Sequence, residues 1–384
     1  MTPVSPLSSQ PRIVWLDVTR FIAMFTIVCC HSADPFNFFT GSGIEANNIK
    51  FWGAIYGSAL RPCVPLFVMI TGALLLPVIG DTAHFYKKRI SRVFFPFLIW
   101  SVLYYAFPWF VGVLGIQETL VQDFFPCAGA ELTEPSFGGA LNRIIGIPLN
   151  FTYLAVQMWY IYLLIGLYLY MPIFSAWIER ASERAKGLFL LAWAVTLFIP
   201  YYRVFANQYL WGTCSWNEFG MLYAFAGFNG YLLLGHYLRH HDFSIKQTLG
   251  FGIPMFAIGY IITFFGFRSI TAQPDATEPM IELFFTFCSP NVALMTIPVF
   301  LLSKKINIQN DRLRAALQNL TLCGFGIYMI HYFLVGPTYL LCKALSIPIP
   351  LHIPIAAIFA FSGSWIIVYF VHKWMGKSAK YIMG

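Results

Sequence analysis

Three ionisable side chains interrupt the first long apolar segment of the sequence, residues 13–33: Asp17, Arg20 and His31. At about 100° per residue, the steps from Arg20 to His31 complete about three helical turns, and those from Asp17 nearly four. We therefore expect all three groups on one helix face, with Arg20 and His31 roughly 16 Å apart along the axis. An ionisable group at membrane depth costs on the order of 2.5–3.5 kcal/mol on insertion scales, which favours a functional role.

His31 is the residue best suited to take a proton from an attacking hydroxyl, because imidazole titrates near neutral pH. It ends the first apolar segment, close to the predicted external face. Asp17 is a suitable ion-pair partner for Arg20, three residues further on. Two interpretations of this pair stay open: it joins neighbouring helices, or it places a cation on the route of an anionic or carbonyl-bearing substrate.

A second cation, Arg61, opens a proline-containing stretch in the second apolar segment, RPCVPLFVMITG up to Gly72. Pro62 and Pro65 weaken the helical hydrogen bonds there, which membrane helices tolerate where neighbours or water satisfy the freed carbonyls. We expect Arg61 at the external end, level with His31. There it stabilises an oxyanion or orients a sugar, or it extends to the membrane interface.

Membrane-spanning helices must hold these residues. The chain has 384 residues, of which 58% are hydrophobic and 10% charged, and its mean hydropathy is +0.68. This balance excludes an ordinary soluble domain, and continuous apolar runs favour helices over strands. We predict an all-α polytopic bundle, one integral-membrane domain over residues 1–384. Its ten predicted spans are 13–33, 52–77, 93–115, 154–177, 187–202, 219–238, 248–267, 280–302, 318–342 and 351–372.

The loop charges predict the orientation of this bundle. Seventeen basic residues fall in one set of loops and termini, and five fall in the alternate loops. The positive-inside rule then puts both termini, including a short tail at 1–12, in the cytoplasm. The net charge of +8 is thereby explained by topology, without nucleic acid as a partner. The longest external segment, 116–153, is either a functional lid or a disordered connector. No Cys/His cluster has metal-ligand spacing, so no metal site is predicted.

With these residues, the chain resembles the acyltransferase-3 family of multi-pass bacterial membrane proteins. That family has an Arg, ten residues and a His in its first span, as Arg20 and His31 do here. The further matches are Arg61 to Gly72 in the second span, Lys87-Lys88-Arg89-Ile-Ser-Arg92 at the opening of the third, Asn229-Gly230-Tyr231 to Gly235 in the sixth, and Gly326 to His331 in the ninth. Two departures stand out: many relatives have His where this chain has Gln157, and often Ser where it has Gly324.

The resemblance implies transfer of an acyl group, commonly acetyl, from cytoplasmic acyl-coenzyme A to a hydroxyl of an envelope carbohydrate or lipid-linked sugar. It implies His31 as general base in a bacterial inner-membrane enzyme, with acyl-CoA as a co-substrate rather than a tightly bound cofactor. Asp17, Arg20 and Arg61 complete the predicted catalytic group. The basic segment would dock the CoA phosphates, although positive-inside topology alone also explains it. The predicted donor-binding residues are Lys87, Lys88, Arg89 and Arg92, and the predicted acceptor-binding residues are Gln157, Trp159, Tyr160 and His331.

Two alternatives remain. An ionisable helix face also describes a translocation path, so a transporter or flippase for an anionic or lipid-linked substrate is the second candidate. A non-catalytic membrane partner or sensor is the third. For His331, pairing with a hydroxyl or carboxylate and donation to a backbone carbonyl are equally compatible with the sequence. The acceptor, the acyl length and the oligomeric state are not readable from the residues.

Overall fold

The computed structural model describes residues 13–37, 43–116, 119–125, 127–205, 218–273 and 276–384. The predicted tail at 1–12 lies outside these residues. Within them, helices are the regular structure and no strand forms, which confirms the all-α class.

The first nine α-helices carry most of the predicted site. They are α1 (Val14–Ser32), α2 (Asp34–Asn37), α3 (Ile44–Ala59), α4 (Cys63–Leu75), α5 (Thr82–Val113), α6 (Thr119–Phe124), α7 (Ala130–Thr133), α8 (Phe137–Ile145) and α9 (Trp159–Arg180). The later helices are α10 (Glu183–Thr196), α11 (Ile199–Phe205), α12 (Asn229–His240), α13 (Ile245–Thr271), α14 (Glu278–Glu282), α15 (Pro290–Ser303), α16 (Asp311–Ala344), α17 (Ile349–Met375) and α18 (Lys380–Met383). Short 3-10 segments occupy Tyr153–Met158, Gly220–Phe225 and Gly376–Ala379.

In the described part of the chain, eight helical segments are long and apolar enough to cross a membrane. They coincide with eight of the ten predicted spans. The predicted sixth and eighth spans contain shorter helices, α12 with 12 residues and α15 with 14. At ~1.5 Å per residue these are roughly 18 and 21 Å long, less than the ~30 Å hydrocarbon layer. The count of ten and the cytoplasmic position of both termini stay predictions.

The second predicted span, 52–77, is broken into α3 and α4, as its prolines predict. The break falls between Ala59 and Cys63, where Pro62 has no N–H to continue the helix. The Arg61 side chain satisfies a carbonyl near the break, since its Nε donates to the Gly57 oxygen at 2.9 Å. The kink thus holds a cation inside the bundle.

Two glycines allow α4 and α12 to cross in direct backbone contact. A Cβ on Gly72 would meet the Leu232 carbonyl, and a Cβ on Gly235 would meet the Met69 carbonyl. Helix α1 packs against α4, α16 and α17. The helices that carry His31, Arg61 and His331 therefore share one core.

The segment 116–153 is folded wherever the structure describes it. Val121 and Phe125 are fully buried, and the Phe125 ring packs against Tyr104 and Tyr332. Helix α6 packs on α16, where Gly336 lies against the Asp123 carbonyl. Of the two sequence-based alternatives, the disordered connector does not describe this part of the segment.

Candidate functional site

His31 lies at the last turn of α1 and hydrogen-bonds to Asp34, the first residue of α2. Its Nδ1 lies 2.8 Å from Oδ2 of Asp34, and the two side chains are only 10% and 14% exposed. The other ring nitrogen, Nε2, is buried without a hydrogen-bond partner among the described residues. Because a carboxylate only accepts, Nδ1 carries the hydrogen and Nε2 of the neutral ring keeps its lone pair. A ring held in this way can accept a proton at Nε2.

A second histidine lies beside the first. The ring centroids of His31 and His331 are 5.3 Å apart, and Tyr332 packs edge-on to His31 at 5.4 Å. His331 Nδ1 donates to the Tyr328 carbonyl at 2.7 Å, which is the backbone contact that the sequence left open. Its Nε2 is also buried and unpartnered in the described part of the protein, so the backbone contact leaves half of the ring available.

The residues around Gln157 join this cluster through Tyr328. The Tyr328 hydroxyl donates to the Gln157 backbone carbonyl, and the Tyr160 ring lies 5.9 Å from that of Tyr328. The Gln157 side chain is fully buried, and no described residue meets hydrogen-bond geometry with its Oε1 or Nε2. Its polar neighbour is the Tyr104 hydroxyl, which donates to the Met329 carbonyl at 2.8 Å. The amide can therefore still donate to, or accept from, a bound molecule.

Arg61 is buried, with 9% of the residue exposed, so it does not extend to the membrane interface. Its Nη2 donates to Sγ of Cys30 at 2.8 Å, and its guanidinium carbon lies 4.3 Å from the centre of the Phe285 ring. Within the described ranges, no carboxylate lies at ion-pair distance from it. Trp159 packs on this side of the site, because it stacks at 5.4 Å on Phe287, which also faces Arg61. A buried cation in this position can stabilise negative charge.

A second group of cations surrounds Tyr168, near the other end of α1. Arg20 of α1 and Arg89 and Arg92 of α5 all lie within electrostatic range of the Tyr168 hydroxyl. Arg20 also pairs with Asp17 at 3.1 Å, as the spacing predicts. Three guanidinium groups from two helices can bind a polyanion bidentately.

The basic segment lies in the first turns of α5, which begins at Thr82, ahead of residue 93 where the predicted span starts. Asp81 caps the helix by accepting from the His84 backbone N–H at 2.7 Å, so the helix starts three turns earlier. Lys87 and Lys88 are exposed, whereas Arg89 is half-buried towards Tyr168. Of the four basic residues, Arg89 and Arg92 lie near Tyr168 together with Arg20, and Arg92 is exposed like the two lysines.

Sequence reasoning missed Asp34, which is the group that orients His31. The signal was present as an acid three residues after the histidine, but α1 ends between them and the pair is not a simple helix-face neighbour. It also missed Cys30 and Tyr328. Cys30 read as a small buried hydrophobe, and Tyr328 stood in the Gly326–His331 match without a role of its own. Their polar partners, the Arg61 guanidinium and the Gln157 carbonyl, lie on segments distant in the sequence.

Comparison with known protein families gives one match. A family model described as an acyltransferase domain, Acyl_transf_3, matches residues 13–369, nearly the whole chain and all of the candidate residues above. No curated protein sequence and no solved structure is significantly similar to the chain.

Proposed function

The chain belongs to the acyltransferase-3 family, and on this premise we propose that it is a membrane O-acyltransferase with His31 as its general base. It moves an acetyl group from cytoplasmic acetyl-CoA to a hydroxyl of an envelope carbohydrate or lipid-linked sugar, in the bacterial inner membrane. The observation that carries the proposal is the His31–Asp34 pair, in which Nδ1 is held at 2.8 Å and Nε2 is left without a partner.

The proposed reaction uses this pair directly. The acceptor hydroxyl donates to Nε2 of His31, which takes the proton as the oxygen attacks the thioester carbonyl. The Asp34 carboxylate stabilises the imidazolium that forms. The tetrahedral intermediate then collapses: the ester C–O bond stays, the C–S bond breaks, and the departing CoA sulfur takes the proton back from His31. Acyl-CoA is thus a co-substrate, with no tightly bound cofactor.

The negative charge on the acyl oxygen needs a donor. Gln157 is suited to this role, because its amide is buried and meets hydrogen-bond geometry with no described residue, with the Tyr104 hydroxyl beside it. Arg61 has one Nη atom engaged with Cys30, so its contribution is the electrostatic field of a buried cation. In both cases the donor acts in a region of low dielectric, where such interactions are strongest.

The CoA phosphates are proposed to bind at the Tyr168 group. Arg20 of α1 and Arg89 and Arg92 of α5 all lie near the Tyr168 hydroxyl, and Arg20 pairs with Asp17. Arg20 and His31 are eleven residues apart on one continuous helix, or roughly 16 Å. The phosphates can therefore stay at one end of α1, while the flexible pantetheine arm carries the thioester along the helix to His31.

Purified protein in nanodiscs with radiolabelled acetyl-CoA tests this function. We expect free CoA to appear together with an acetylated product when an envelope saccharide or membrane extract is supplied. His31→Gln should abolish product, because a glutamine keeps a hydrogen bond to Asp34 but cannot take the proton. His352→Gln is the matched control, since His352 is also buried and its Nε2 donates to the Tyr339 carbonyl at 3.0 Å.

Two results would contradict the proposal. Robust product formation by His31→Gln would show that His31 is not the general base. Uptake of the saccharide into vesicles without consumption of acetyl-CoA would instead support the alternative of a transporter or flippase.

A further inference from the structure

The two histidines of the site leave two buried nitrogen atoms without partners. Nε2 of His31 and Nε2 of His331 meet no hydrogen-bonding group in the described ranges, although His31 is 8% exposed and His331 fully buried. Buried polar atoms are normally satisfied. Two such atoms on rings 5.3 Å apart indicate that a bound molecule supplies the missing hydrogen bonds.

The hydrogen bonds on the opposite sides of the rings determine what that molecule must offer. Nδ1 of His331 faces the Tyr328 carbonyl at 2.7 Å, and Nδ1 of His31 faces the Asp34 carboxylate at 2.8 Å. Both partners are acceptors, so each Nδ1 carries the hydrogen and each neutral ring presents a lone pair at Nε2. The site therefore holds two acceptors and needs two donors.

We infer that the acyl acceptor is a vicinal diol and that His331 selects it by accepting from the hydroxyl next to the one that reacts. This inference rests on the proposed function. A molecule with one hydroxyl satisfies only one ring and leaves the other nitrogen desolvated and unpaired, which is unfavourable. A carboxylate or phosphate beside the reacting hydroxyl is excluded, because its oxygen atoms are acceptors and would face the lone pair at Nε2 of His331.

Only one of the two hydroxyls is acylated. A histidine that takes a proton becomes a buried cation, and His31 has the Asp34 carboxylate to stabilise it. His331 has a neutral carbonyl instead, and the nearest ring is that of His31 itself. His31 therefore receives the proton while His331 stays a hydrogen-bond acceptor. The product carries one acyl group beside a free hydroxyl.

Two small probes test this selection: cis-cyclohexane-1,2-diol and cyclohexanol, which differ by the second hydroxyl. The full chain in nanodiscs is given each probe with radiolabelled acetyl-CoA. We expect kcat/KM for the diol to exceed that for cyclohexanol by about 10- to 100-fold, the range expected from leaving one buried acceptor without its partner. His331→Phe should reduce this ratio to about one, by lowering the rate with the diol. His352→Phe, at a buried histidine outside the pair, should leave the ratio unchanged.

The outcomes separate the inference from the function on which it rests. Equal rates with the two probes in the unmodified protein, or turnover with neither probe while acetyl-CoA is still cleaved with a membrane extract, would overturn the diol inference. Absence of CoA release with every acceptor would overturn the acyltransferase proposal itself. If His331→Phe cannot be purified, the ratio in the unmodified protein alone decides.

Discussion

Replacing Asp34 by asparagine tests whether the carboxylate positions His31 for catalysis. The substitution keeps the size of the side chain but removes the charge that faces Nδ1 at 2.8 Å. An Asn amide can also donate to Nδ1, which would move the ring hydrogen to Nε2 and remove the lone pair that takes the proton.

The expected loss follows from the geometry. The two side chains are 10% and 14% exposed, so water screens their interaction little. A hydrogen bond to a charged group contributes about 1.5–3 kcal/mol, and ~1.36 kcal/mol corresponds to a factor of ten in rate. Asp34→Asn should therefore lower kcat by about 10- to 150-fold, and any shift to the wrong tautomer adds to that loss.

The assay is acetyl transfer in nanodiscs, with kcat and the KM for acetyl-CoA measured separately. A positioning role predicts a fall in kcat with an unchanged KM, because Asp34 is far from the Tyr168 group, and partial recovery in Asp34→Glu. Asp123→Asn is the matched control, since Asp123 is an exposed carboxylate. A kcat within twofold of the unmodified value in Asp34→Asn would contradict a positioning role for Asp34.

Two further predictions concern the donor end and the helix crossing. Arg89→Gln should raise the KM for acetyl-CoA about tenfold through loss of a charge-assisted contact, whereas Lys88→Gln should change it less than twofold; equal effects would show that the segment acts only by net charge. Gly235→Ala should lower the melting temperature, because its Cβ meets the Met69 carbonyl and overpacking costs about 1–3 kcal/mol. Gly166→Ala, which meets nothing within 4 Å, should not, and equal melting temperatures would contradict the close crossing.

The sequence predicted the features that depend on one segment at a time. Arg20 pairs with Asp17, as their spacing predicts. The helix is interrupted beside Pro62, where the proline removes a hydrogen-bond donor. Eight of the ten predicted spans are long apolar helices. Each of these follows from helical periodicity, proline chemistry or hydropathy, and none needs knowledge of a neighbour.

The features that the sequence did not predict depend on packing between distant segments. Arg61 was compatible with interface extension, and its burial follows from contacts with Cys30 and Phe285 on other elements. The lengths of α12 and α15 could not be read from hydropathy, because the apolar runs continue into residues before each helix that do not belong to it. Asp34 lies beyond the end of α1, so helical spacing could not assign it to His31.

We propose that the acetyl group moves across the membrane from the Arg20 end of α1 to the His31 end. The direct measurement uses proteoliposomes with radiolabelled acetyl-CoA outside and the acceptor sealed inside. For the protein molecules with the Tyr168 group outward, we expect acetylated acceptor in the lumen, free CoA outside and no labelled acetyl-CoA inside. His31→Gln should give no product. Product formed only where acceptor and acetyl-CoA share a compartment, or intact acetyl-CoA found inside, would contradict it.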